Sequence, residues 1–71
     1  MGFKRLRDLR ETSNYTQQYI AEYLKINRIV YSRYELGYRK IPINYLIDLA
    51  KLYNTSIDYI VEMHNKKDII Y

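Results

Sequence analysis

Residues 16–37 read Thr16-Gln17-Gln18-Tyr19-Ile20-Ala21-Glu22-Tyr23-Leu24-Lys25-Ile26-Asn27-Arg28-Ile29-Val30-Tyr31-Ser32-Arg33-Tyr34-Glu35-Leu36-Gly37. No other stretch limits the fold so tightly. Ile20, Ala21 and Leu24 recur at helical spacing and form one apolar stripe; Ile26, Tyr31 and Tyr34 form the next. Between the two helices lie only Lys25, Ile26 and Asn27, too few for a flexible loop. Ala21 is small where the helices must cross, so their backbones can approach. Thr16 is a good N-cap, its hydroxyl placed to accept from the amide of Tyr19, and Asn27 caps the second helix. Gly37 supplies the left-handed stop. The pattern is two short helices, 17–24 and 28–36, joined by a tight turn.

The rest of the 71 residues continues in the same style. Phe3, Leu6 and Leu9, with charges between them, predict a helix over 3–12 that breaks at Ser13-Asn14-Tyr15. Pro42 suits the first turn of a helix over 43–53, where a missing N–H costs nothing. Tyr45 or Leu46, Leu49, Ala50, Leu52 and Tyr53 line that helix, and Asn54 can close it. Ser56 caps a fifth helix over 57–64, with Asp58 in its first turn. The expected fold class is all-α: a compact five-helix domain over 1–64 with a helix-turn-helix, followed by a tail over 65–71. Helices this short are marginal alone. They must share a core, expected at Leu6, Leu9, Ile20, Ala21, Leu24, Ile26, Tyr31, Tyr34, Leu46, Leu49 and Ile60.

The chain carries a net charge of +4, and the charge is uneven. Residues 1–40 hold nine Lys/Arg against four Asp/Glu; residues 41–71 hold three against four. A basic half and a near-neutral half suit one face on phosphate and another on protein. The absence of cysteine excludes a disulfide framework and makes a reducing compartment natural. Charge follows the first residues where a signal peptide would be apolar, and no stretch nears the ~20 apolar residues of a membrane span. The expected location is cytoplasmic, with no membrane association.

In this order and spacing the residues resemble the lambda repressor/Cro-like, or Xre-type, helix-turn-helix family. The resemblance rests on Arg5-Leu6-Arg7-Asp8-Leu9-Arg10-Glu11, on Thr16-Gln17-Gln18 with Ala21 and Leu24, and on Ser32-Arg33-Tyr34-Glu35-Leu36-Gly37 with Arg39. It continues through Leu46 with Leu49-Ala50 and through Ser56-Ile57-Asp58-Tyr59-Ile60. It covers about residues 4–62. The family often has glycine in the turn where this chain has Lys25; a positive φ there would cost lysine about 1 kcal/mol.

The second helix of such a pair can enter a DNA major groove. With Tyr31 and Tyr34 facing the core, the opposite face carries Arg28, Ile29, Ser32 and Arg33 as base-reading candidates. Arg28 or Arg33 can take a guanine through O6 and N7, the alternative being a phosphate contact; Ile29 can meet a thymine methyl. Val30 stands between that role and burial against the preceding helix. The resemblance implies that Gln17, at a helix N-terminus where amides and dipole favour an anion, holds a phosphate. Gln18, Asn27, Tyr38, Arg39, Lys40 and Asn44 join it as phosphate-contact candidates, which fix register without reading sequence. The resemblance also implies that Arg10 and Glu35 form a structural pair.

Ten tyrosines are many for this length. Tyr31, Tyr34, Tyr45 and Tyr53 lie on apolar stripes, and Tyr15, Tyr19, Tyr23 and Tyr38 are expected half exposed, so stacking on single strands is the weaker use. His64 is the single histidine and supplies no zinc set. No catalytic residues, metal or cofactor are expected, and the chain does not read as an enzyme. The function expected is a sequence-specific double-stranded DNA-binding regulator of transcription, repressing as a homodimer on a palindromic operator. Ile57, Tyr59, Val61, Ile69, Ile70 and Tyr71 are the dimer candidates, the alternative for the tail being disorder. The competing expectation is an antitoxin or protein-docking module of the same fold, with a toxin or another protein as partner.

Overall fold

The computed structural model describes residues 4–61, which form five helices: α1 (Lys4–Thr12), α2 (Gln17–Leu24), α3 (Arg28–Leu36), α4 (Ile43–Tyr53) and α5 (Ile57–Val61). Phe3, Glu62, His64 and the tail with Ile69, Ile70 and Tyr71 lie outside the described residues, as does any continuation of α5 towards 64.

The first four helices stop by one device. Asn14, Lys25, Gly37 and Asn54 each adopt a positive φ, between 54° and 88°. The next residue's N–H then reaches back five positions: Tyr15 to the Arg10 carbonyl, Ile26 to Ala21, Tyr38 to Arg33 and Thr55 to Ala50, all at 2.9–3.0 Å. These bonds satisfy carbonyls that a helix end otherwise leaves open. Only one of the four positions is glycine. Lys25, at φ 62°, bears the cost that its side chain imposes in this region.

The starts are capped by side chains. The Thr16 hydroxyl accepts from the Tyr19 amide at 3.0 Å, Asn27 Oδ1 from the Ile29 amide at 2.7 Å, and the Ser56 hydroxyl from the Tyr59 amide at 3.0 Å. Pro42 differs from its expected place. It is the N-cap of α4 in extended geometry, one residue before the helix, and its carbonyl accepts from the Tyr45 and Leu46 amides.

α2 packs on α3, and α1 packs on both α3 and α5; α4 closes the core through α5. The core is Leu6, Ile20, Ala21, Leu24, Tyr31, Tyr34, Ile41, Leu46, Leu49 and Ile60. Two expected members, Leu9 and Ile26, are half-buried and pack against its rim. Ile41 is the opposite case: it lies in the α3–α4 connection yet is buried. Proline at 42 restricts it to extended backbone, and its side chain joins the core.

Much of the tyrosine is spent on this packing. Tyr15 stacks on Tyr19 with ring centres 4.6 Å apart and meets Tyr53 at 6.2 Å; Tyr34 meets Tyr45 at 6.3 Å. The Tyr23 hydroxyl donates to the Asp48 carbonyl at 3.1 Å and ties α2 to α4. Among the described residues no helix is long and apolar enough to cross a membrane.

Candidate nucleic-acid interface

The orientation of α3 follows from its two buried tyrosines. Tyr31 and Tyr34 are three positions apart on one face and both belong to the core. Arg28, Ile29 and Arg33 therefore project outward, Ile29 with 52% of its surface exposed, and Ser32 is half-buried beside them. Val30 is half-buried and packs against the core. Leu36, named above only within the resemblance, is 61% exposed. Its spacing of seven from Ile29 places it on the same outward face, a signal available from periodicity alone.

The arginines divide into two groups, Lys40 joining the second. Those of α1 are engaged in the fold: Arg7 pairs with Glu11 at 3.0 Å, Arg10 pairs with Glu35, and Arg5 lies over the Tyr59 ring at 4.3 Å while donating to its hydroxyl. Arg28 and Arg33 on α3, and Arg39 and Lys40 just beyond it, are exposed and make no ion pair among the described residues. Tyr38, 75% exposed, stands beside that pair, and Asn44 is exposed in the first turn of α4.

One buried carboxylate organises the end of α3. Arg10 Nε donates to Glu35 Oε2 at 2.7 Å and Arg10 Nη2 to Oε1 at 3.1 Å, a two-pronged pair whose side chains are 12% and 4% exposed. Arg10 Nη1 also donates to the Tyr15 carbonyl at 3.1 Å. Burial by itself would raise the Glu35 pKa. The bonds from Arg10 and Gln17 and the nearby Tyr31 hydroxyl outweigh it and hold the carboxyl below its usual range. The hydrogen bond to Glu35 raises the Arg10 guanidinium in turn. The Tyr31 hydroxyl sits buried near this carboxylate without reaching hydrogen-bonding geometry, and burial, then Glu35, pushes its pKa up.

Gln17 opens α2 next to this pair. Its Nε2 donates to Glu35 Oε1 at 3.0 Å, which brings the N-terminus of α2 to the C-terminal end of α3. The Tyr19 and Ile20 amides are taken by Thr16, so those of Gln17 and Gln18 remain at the positive end of the helix. The Gln18 side chain turns along the helix to Glu22 at 2.9 Å. Asn27 uses its oxygen as the α3 cap.

The dimer candidates are placed unequally. Tyr59 is exposed but holds Arg5, whereas Ile57 and Val61 are half-buried and spend surface on the domain's own core. Neither the Arg5–Tyr59 contact nor the Gln17–Glu35 bond is anticipated above. Both join residues far apart in sequence, and no local pattern announces them.

A family model described as helix-turn-helix matches residues 6–60. The chain is also similar to three proteins of Bacillus subtilis (strain 168). It is 37% identical over 68 residues to the uncharacterized HTH-type transcriptional regulator YobD, covering 96% of this chain and 61% of that protein. It is 36% identical over 67 residues to the HTH-type transcriptional regulator AnsR, covering 94% and 58%. It is 38% identical over 72 residues to the HTH-type transcriptional regulator ImmR, covering 94% and 57%. The chain thus spans about three fifths of the length of these relatives. No solved structure matches it.

Proposed function

The chain belongs to the lambda repressor-like helix-turn-helix family, and from that membership we propose that it binds double-stranded DNA sequence-specifically and regulates transcription. The observation that carries this reading is the outward face of α3. Arg28, Ile29, Ser32 and Arg33 are presented opposite a buried tyrosine pair, followed at once by exposed Tyr38, Arg39 and Lys40. The first group has the donors and methyls that read base edges; the second suits phosphate. Gln17, Gln18, Asn27 and Asn44 complete the phosphate-holding set, and Arg10 with Glu35 keeps α3 in place.

The regulator acts as a repressor, and as a homodimer on a palindromic operator. One recognition helix reads only a few base pairs, so two half-sites about one helical turn apart supply the missing specificity. Ile57, Tyr59 and Val61 of α5, with Ile69, Ile70 and Tyr71, are the residues assigned to the dimer contact. Sedimentation at tens of micromolar, with and without operator, checks this: monomer alone in both samples rejects the dimer.

Selection of bound duplexes from a randomised pool at ~150 mM salt tests the function, because loose electrostatic binding fades there. A two-fold symmetric motif is the expected result. Retention without a motif would leave a non-specific basic binder. No retention by folded protein would overturn the DNA reading in favour of a protein partner.

A further inference from the structure

A glutamine that serves only as a phosphate hook has no need of a buried carboxylate, yet Gln17 Nε2 is bonded to Glu35 Oε1 at 3.0 Å. The carboxamide is planar, with two N–H donors on one nitrogen and an oxygen acceptor. Once one N–H is fixed, the direction of the second is fixed as well. Glu35 is a firm anchor: both of its oxygens are gripped by Arg10, at 2.7 and 3.1 Å, and its side chain is almost wholly buried. Arg10 is in turn held by the Tyr15 carbonyl, immediately before the Thr16 cap of α2. An unbroken series of bonds therefore runs from the α1–α2 connection through Arg10 and Glu35 to the first side chain of α2.

We infer that Glu35 is a positioning residue for DNA: through Gln17 it aims the remaining carboxamide N–H at a phosphate over the N-terminus of α2 before DNA arrives. Its carboxylate never meets the duplex. Arg10 neutralises it, so it orders the donor without opposing the phosphate charge. Fixing the donor in advance removes the ordering cost that a free glutamine would incur on binding. This inference rests on the DNA-binding reading above.

The test is a double-mutant cycle on affinity for the selected duplex and for an unrelated one, with Gln17→Ala, Glu35→Gln and both together. All proteins are assayed below their melting temperatures. Gln17→Ala is expected to weaken both duplexes about tenfold or more, the scale of a charge-assisted hydrogen bond. The salt slope should not change, since no cation is lost. Glu35→Gln should weaken binding in the native background and add little in the Gln17→Ala background. An equal factor in both backgrounds, or an altered salt slope with Glu35→Gln, would show a merely structural role and overturn the inference.

A second measurement avoids the risk that Glu35→Gln unfolds. Side-chain relaxation of the Gln17 carboxamide in the unliganded wild-type protein should show order near that of rigid backbone. A freely rotating carboxamide overturns the inference. Wild-type protein that binds no duplex overturns the DNA reading and this inference with it. Wild type that binds with an additive cycle overturns this inference alone.

Discussion

At Glu35 two effects oppose each other, and which one wins sets how this carboxyl group responds to acid. Burial favours the neutral acid; the bonds from Arg10 and Gln17 and the nearby Tyr31 hydroxyl favour the carboxylate and prevail. The folded pKa thus lies below the unfolded one. The stability this group contributes is complete above about pH 4.5 and is lost as pH falls through the lower folded value. Thermal melts at a series of pH values should show that loss only below about pH 4.5, and Glu35→Gln should remove its share of the decline. Substituting Arg10 by methionine leaves a buried carboxylate unpaired, with an expected cost of about 3–5 kcal/mol in urea unfolding. On the outward side of the same helix, Arg28→Ala should relax preference at particular base pairs, by about 1–3 kcal/mol of discrimination. A quantitative binding assay across operator variants checks this; an equal loss on every sequence would reduce Arg28 to a phosphate contact.

The helices themselves were largely legible in the sequence, for identifiable reasons. α3 starts at the Asn27 cap and stops at Gly37, so both its ends carry a local chemical mark; α2 starts at the Thr16 cap but stops at Lys25, where only the tight turn to the next cap marks the end. Ile41 was not legible, because a residue in a connection has no period to report its direction, and only the constraint from Pro42 turns it inward. The outward face of α3 followed from Tyr31 and Tyr34. Leu36 went unassigned although its spacing from Ile29 extends that face. The Gln17–Glu35 bond spans two elements and depends on how they pack, which no single helix pattern records. The left-handed stop at Lys25 carries a measurable strain. Lys25→Gly should stabilise by up to about 1 kcal/mol and raise the melting temperature by several degrees, read by circular dichroism. Unchanged or lower stability would mean that the added freedom of the unfolded chain cancels the relief.

For the molecule as a whole, the buried core and the exposed cations proposed to meet phosphate are different residues, and Glu35 is where the two roles meet. The five-helix domain, described over residues 4–61, stands near the lower limit of independent folding. Leu49→Ala, at a fully buried core position, should cost about 2–5 kcal/mol, a large part of what such a domain has. Urea titration should show the midpoint collapse while the slope persists. Lys40→Ala, on the exposed connection, should leave the melt unchanged, weaken every duplex alike and lower the salt slope by about one. The packing of α1 on α5 also sets a schedule for synthesis. A chain emerging from the ribosome presents α1, α2 and α3 first, yet Arg5 must wait for Tyr59, more than fifty residues later, and the core around Leu6 for Ile60. A nascent chain halted between α4 and α5 would carry the outward face of α3 on an unfinished scaffold, so the face proposed to meet DNA is set only once α5 has been made.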